Sequence, residues 1–248
     1  MNPTSTPIDA VLLDLDGTLV DSIPDLAQAA NAMRADIGLS ALPQATIATY
    51  VGKGIDKLVE RAMAGSMEAP TPEAGPFDVA RASFYQHYHA VNGQRTTIYP
   101  GVLDGLRAMQ AMGLALAVVT NKSTEFTLPL LARTGLAPYF AAVVCGDTCA
   151  RKKPDPMPFL HACTLLGTTA ARSVVIGDSL NDTQAGRAAG AQVLVVPYGY
   201  NEGQDVRTLE VDGIVDTLLD AAAWIERKLV ARKAESPPAS KFSETLVR

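Results

Sequence analysis

The apolar positions of this chain fall into short continuous runs, not alternating ones. "AVLLD" (10–14), "LALAVVT" (114–120), "AAVVCGD" (141–147), "SVVIGD" (173–178) and "AQVLVVP" (191–197) are rich in Val, Leu and Ile. Runs of this kind predict strands covered on both faces, as in a parallel sheet. Between them, "LDGLRAMQAMG" (103–113), "STEFTLPLLARTG" (123–135), "DPMPFLHACTLLG" (155–167) and "NDTQAGRAAG" (181–190) carry apolar residues at helical spacing and stop on Gly. Pro129 is expected to interrupt the second of these helices. Strand–helix alternation with Gly at the helix ends predicts a doubly wound, Rossmann-like α/β sheet.

The alternation fails between residue 22 and about residue 94. There "PDLAQAANAMRADIG" (24–38), "PQATIATYV" (43–51), "IDKLVERAMAG" (55–65) and "FDVARASFYQHYHAVNG" (77–93) all read as helices, with "SMEAPTPEAGP" (66–76) as a loop. The expected organisation is an α/β core from 1–21 and 96–231, a helical insert over 22–95 after the first strand, and a polar, Pro-bearing tail over 232–248. An insert at that point stands above the carboxyl ends of the strands, where open α/β sheets bind ligands.

Composition narrows the function. The 248 residues are 48% hydrophobic, enough for a substantial core, and the net charge of −5 offers no broad positive surface for nucleic acid or an anionic membrane. The longest apolar stretches are too short to span a bilayer, and "MNPTSTPIDA" has no basic n-region, so no signal peptide is expected. Cys145, Cys149 and Cys163 form no CxxC pair, which argues against a disulfide frame or a zinc site and for a reducing, cytoplasmic setting.

The chemistry gathers at the strand ends. Asp14 and Asp16 close the first strand, Thr120 and Asn121 close "LALAVVT", and Asp178 closes "SVVIG" with Asp182 four residues on. In a parallel sheet these ends converge on one edge, and four carboxylates in one crevice require a cation or protonation. Hard oxygen ligands with room for water favour Mg²⁺. Asp14 can then attack phosphorus, while Asp16 protonates the leaving alcohol and later activates water. Gly17, before Thr18, permits a tight turn whose N–H groups face phosphate. The Thr120 hydroxyl can bond phosphoryl oxygens, and Lys152 or Lys153 in "RKKPDP" (151–156) can offset the gathered charge. The ion would bridge Asp14, Asp178 and phosphate, with the Asp16 carbonyl as a further ligand and Asp182 bound directly or through water. Asp182 also suits a helix first turn, where it would serve as a cap.

"DLDGTLVDS", "VVTNK", "KKPDP" and "GDSLND", in this order, resemble the four motifs of the haloacid dehalogenase-like phosphatases. The resemblance covers about residues 8 to 225. It implies Asp14 as nucleophile, Asp16 as acid/base, Thr120 as phosphate binder, Lys153 (the lysine directly before proline) as charge partner and Asp178 as metal ligand. It also implies that the insert is a small cap, whose Gly52-Lys53-Gly54 loop enters the active site and brings Lys53 to the substrate; from spacing alone that stretch is a turn. Closer still, "DGTLVDSIPDL", "YVGKGIDKLVERA", "IYPGV" and "GDSLNDTQAGRAAG" are similar to bacterial phosphoglycolate phosphatases. The implied activity is Mg²⁺-dependent hydrolysis of a small phosphorylated metabolite, 2-phosphoglycolate first. The alternatives are a sugar phosphate such as N-acetylmuramic acid 6-phosphate, or phosphotransfer of the β-phosphoglucomutase type. Gly17, Thr18, Asn121, Gly52, Lys53 and Gly54 are the expected substrate-binding residues. Dehalogenase and phosphonatase relatives lack the second aspartate that Asp16 supplies here.

Overall fold

The computed structural model describes residues 7–235 except residue 69; the expected N-terminal segment falls partly, and the tail from residue 236 wholly, outside the described residues. In chain order the elements are β1 (Ala10–Leu13), β2 (Val20–Asp21), α1 (Ile23–Asp36), α2 (Gln44–Tyr50), α3 (Ile55–Ala64), α4 (Ala74–Val91), β3 (Thr97–Ile98), α5 (Val102–Ala111), β4 (Ala115–Val119), α6 (Thr124–Arg133), β5 (Ala142–Val144), α7 (Met157–Leu165), β6 (Ser173–Gly177), α8 (Leu180–Ala189), β7 (Gln192–Val195), β8 (Gly213–Ile214) and α9 (Leu218–Glu235). α9 thus continues four residues into the segment expected as tail.

Six strands form one parallel sheet in the order β5-β4-β1-β6-β7-β8. The continuous apolar runs have a direct cause in its two covered faces. Val11, Leu13, Leu116, Val118, Val174 and Ile176 pack on the side of α5 and α9, with Leu106, Leu218 and Ile225. Leu12, Ala117, Val119, Val175 and Val193 pack on the other side against Phe159 of α7 and Ala185 of α8. Successive side chains point to opposite faces, so a strand buried on both has no polar position.

α6 does not break at Pro129, contrary to the sequence expectation. A proline in a helix forfeits one hydrogen bond to the carbonyl four residues back, and the burial of Phe126, Leu130 and Leu131 holds this helix together across the gap.

The helices α1–α4 have a core of their own, built from Leu26, Met33, Ile47, Leu58, Phe84 and Tyr88, into which Phe126 of α6 also inserts. They join the sheet domain through two crossings that pair antiparallel, Val20 with Ile98 and Asp21 with Thr97. Asp25, fully buried at the start of α1, accepts hydrogen bonds from the N–H groups of Gly93 (2.9 Å), Arg95 (2.9 Å) and Thr96 (3.0 Å) and from the Thr96 hydroxyl (2.7 Å). That carboxylate ties the outgoing crossing to the incoming one. The short β2–β3 pair and β8 were not legible as strands, because two residues are too few for a pattern. Among the described residues no helix is long and apolar enough to cross a membrane.

Candidate active site

β1 and β6 are neighbours, so Asp14 and Asp178 leave the sheet side by side, and the Asp14 N–H still bonds the Ile176 carbonyl at 3.0 Å. β4 lies on the other side of β1 and is followed by Thr120, whose N–H bonds the Val144 carbonyl at 2.9 Å. Lys153 arrives from the loop after β5. Its backbone is clamped by the Asn121 side-chain amide, which accepts from the Lys153 N–H at 3.0 Å and donates to its carbonyl at 2.9 Å. The buried Lys153 ammonium reaches Asp14 at 2.8 Å, Asp182 at 2.7 Å and the Val119 carbonyl at 2.7 Å. Burial opposes its charge, but Asp14 and Asp182 outweigh that and raise its pKa. Lys152 is exposed.

Asp14, Asp178 and Asp182 each present an oxygen within 4.8 Å of the others. Three carboxylates share one lysine. Burial pushes the Asp14 carboxyl up to about 7, with Lys153 pulling it down and Asp182 adding to the rise. Burial likewise raises Asp178, helped by the charges of Asp182 and Asp14. A divalent cation would relieve both, and the all-oxygen donor set suits a hard ion such as Mg²⁺. Asp178 is aimed by the Tyr200 N–H (2.6 Å) and the Thr18 hydroxyl (3.3 Å). Gly17, at φ 90°, passes so close that an added Cβ would lie 2.2 Å from the Asp178 carboxylate, so both its conformation and the space require glycine. Asp182, fully buried, has both oxygens engaged: one on Lys153, the other accepting from the Ser179 N–H (3.2 Å) and hydroxyl (2.7 Å) as a capping box of α8.

Asp16 is held differently. One oxygen accepts from the Ser22 hydroxyl at 2.5 Å, and the Lys122 ammonium lies 3.1 and 3.2 Å from its two oxygens. Lys122 also donates to the hydroxyl of Tyr88, a residue of α4, at 2.6 Å. Burial works against the Lys122 charge, yet Asp16 and Tyr88 overcome it and raise its pKa. Burial lifts the Tyr88 phenol to about 12, so it stays neutral.

A cleft lies between these strand ends and the insert. Asp14, Asp16, Thr120, Asn121 and Lys122 form its floor; Leu26, Val51, Gly52, Gly54, Ile55 and Leu58 form its roof. The Gly52 carbonyl accepts from Asn121 at 2.9 Å, which holds the loop over the site. Of the expected binding residues, Gly52, Gly54 and Asn121 line the cleft, while Thr18 turns to Asp178. Lys53 does not reach it; its ammonium pairs with Glu202 at 3.1 Å, as does buried Arg61 at 2.9 Å.

Sequence reasoning passed over Lys122, Ser22, Tyr88 and Tyr200. Lys122 directly follows Asn121 in "VVTNK", and a lysine after a strand end ordinarily reads as solvated; its burial depends on Tyr88 arriving from the insert.

A family model described as haloacid dehalogenase-like hydrolase matches residues 11–196. The phosphoglycolate phosphatase of Thiobacillus denitrificans is 47% identical over 221 residues, covering 89% of this chain and 97% of that protein. The one of Nitrosospira multiformis is 48% identical over the same length, with the same coverages. Among solved structures, a predicted phosphoglycolate phosphatase from Haemophilus somnus superposes with a TM-score of 0.82 at 32% identity, covering 88% of this chain and 97% of that one. The chain belongs to the haloacid dehalogenase-like hydrolase family.

Proposed function

We propose that this phosphatase hydrolyses 2-phosphoglycolate, with Mg²⁺ as cofactor and an aspartyl-phosphate on Asp14 as intermediate. The observation that carries the reading is the position of Asp14: it closes the central strand, touches Lys153 at 2.8 Å and shares the cleft floor with Asp16 and Thr120. Its carboxylate oxygen attacks phosphorus, and the bond from phosphorus to the leaving-group oxygen breaks. Asp16 gives that oxygen its proton. Asp16, now a carboxylate, takes a proton from water; the water oxygen attacks phosphorus, and the bond to Asp14 breaks to regenerate the free acid and release phosphate. The Thr120 hydroxyl holds phosphoryl oxygens and Lys153 balances their charge; the Gly17 and Thr18 N–H groups, expected to face phosphate, bond the Val20 and Leu15 carbonyls instead.

Mg²⁺, held by Asp14, Asp178 and the Asp16 carbonyl, would supply further charge stabilisation to the phosphoryl group. In this reading Asp182 would bind the ion directly or through water and also holds Lys153. The apolar roof of Leu26, Val51, Ile55 and Leu58 offers a sugar's hydroxyls few hydrogen-bond partners and so favours a short leaving group. The 2-phosphoglycolate reading is supported by the names of the relatives above and by this fit.

The test is phosphate release from a panel of phosphate monoesters with and without EDTA. The expected result is a kcat/KM for 2-phosphoglycolate of about 10⁴ M⁻¹s⁻¹ or more, the best of the panel, abolished by EDTA and restored by Mg²⁺. Preference for a sugar phosphate, or full activity in EDTA, overturns it.

A further inference from the structure

The site offers a phosphoryl group several partners, but a leaving group carrying its own negative charge would meet mostly carbon. The roof presents Leu26, Val51, Ile55 and Leu58, and a carboxylate buried there without a partner is strongly disfavoured. Lys122 is the one cation among the residues lining the cleft. Of the neighbouring described cations, exposed Lys152 has its ammonium beside Gly54 and is the competing candidate; the others are engaged elsewhere. Lys153 has its three N–H donors on Asp14, Asp182 and the Val119 carbonyl. Lys53 and Arg61 are on Glu202. Arg34 is on the carbonyls of Ser40 and Ala62.

We infer that the Lys122 ammonium recognises a carboxylate on the leaving group and so sets the substrate preference; this rests on the 2-phosphoglycolate reading above. Lys122 is buried at 5% exposure. It has three N–H groups. Tyr88 takes one at 2.6 Å, and the two near-equal contacts to Asp16, at 3.1 and 3.2 Å, go to the two oxygens of one carboxylate, between which a single N–H can bifurcate. The third is left for a ligand. Position makes the same point: Asp16 must reach the oxygen that leaves phosphorus, and in 2-phosphoglycolate the carboxylate sits one carbon from that oxygen. A cation in contact with Asp16 is where that carboxylate arrives. Tyr88 fixes the ammonium from the insert, so the recognising group is complete only with the insert seated on the core.

The experiment compares 2-phosphoglycolate with 2-hydroxyethyl phosphate, in which a neutral hydroxymethyl replaces the carboxylate, on the full chain with Mg²⁺. The wild type is expected to prefer the carboxylate ester by about 10²-fold or more in kcat/KM, the size expected when a buried charge loses its partner. Lys122→Met is expected to lower both rates, because Asp16 loses a donor, and to shrink the preference about 10²-fold. Lys122→Arg keeps more of the preference than Met, and Lys152→Met, which removes the ammonium beside Gly54, keeps all of it.

A wild-type preference below about threefold overturns the inference, as does an equal loss on both esters in Lys122→Met, which would assign Lys122 to Asp16 alone, or a loss that follows Lys152. If Lys122→Met does not fold, competition by glycolate and by ethylene glycol on the wild type decides: selective inhibition by glycolate supports the inference, and equal inhibition overturns it. A wild type that hydrolyses neither ester but does hydrolyse another phosphate fails the 2-phosphoglycolate reading itself, and this inference with it.

Discussion

Replacing Asp14 should make the metal-free protein more stable, not less. Asp14 shares its surroundings with Asp178 and Asp182 and with a single lysine. Burial lifts its carboxyl from 3.8 to about 7. A carboxyl raised in the folded state adds stability below its unfolded value, and that stability is lost as pH climbs through the folded one. About three pKa units at 1.36 kcal/mol each put the whole loss at about 4 kcal/mol. Roughly 2–3 kcal/mol of it falls between about pH 5 and pH 8 by the same linkage. Asparagine keeps the shape and does not titrate, so Asp14→Asn escapes the loss. For a chain of this size about 2–4 °C of Tm accompanies each kcal/mol. In EDTA the Tm of Asp14→Asn relative to wild type should therefore rise by about 5–10 °C between pH 5 and pH 8. The assay is thermal unfolding of both proteins at the two pH values, repeated with Mg²⁺. The ion should recover about 2.7 kcal/mol for the wild type at a hundredfold excess over its Kd and much less for the variant, which should also be inactive. A Tm gap that stays constant or closes with rising pH in EDTA would refute the electrostatic account of the cluster.

Asp16→Asn should slow hydrolysis of alkyl phosphates by about 10²–10⁴-fold and spare p-nitrophenyl phosphate in part, because that leaving group needs little proton assistance; an equal effect on both would remove Asp16 from proton transfer. Asp182→Asn should weaken Mg²⁺ binding less than Asp178→Asn does, as measured by calorimetry. The reverse order of affinities would make Asp182 the direct ligand. Glu202 is lowered below its ordinary 4.5, since Arg61 and Lys53 outweigh its burial. The stability it provides between insert and core is present above about pH 4.5 and lost as pH falls through the depressed value. Acid unfolding of Glu202→Gln should lack that component, and identical acid transitions in the two proteins would exclude it.

The sheet was legible because burial on both faces leaves an unmistakable trace: Val11, Leu12 and Leu13 are all apolar because each has a covered side to face. The helices were legible from spacing and from the glycines that end them. The acids were legible as a group because strand ends in a parallel sheet converge, and Asp14, Asp178 and Asp182 do so here. What stayed hidden depends on side-chain direction. Lys53, expected over the substrate, turns away because Glu202 from a distant loop offers it a charge. Lys122, unremarked in the sequence, is drawn inward by Asp16 and Tyr88, 106 and 34 residues away along the chain. Asp182 could be read as a metal ligand or as a cap; "SLND" spells the capping box, and the side chain adopts it while also holding Lys153. Partners that far apart leave no local pattern.

The pairing of Val20 with Ile98 and of Asp21 with Thr97 carries a consequence for the architecture of such enzymes. The chain departs from and returns to the sheet through a single doorway, so the four helices amount, topologically, to the oversized loop of a β-hairpin. The entropy of closing a loop grows only slowly with its length, and the sheet never has to thread around what the loop contains. One catalytic platform can therefore be fitted with lids of different size and lining, each exchanged at the same two-residue doorway, while the strand order beneath stays as it is.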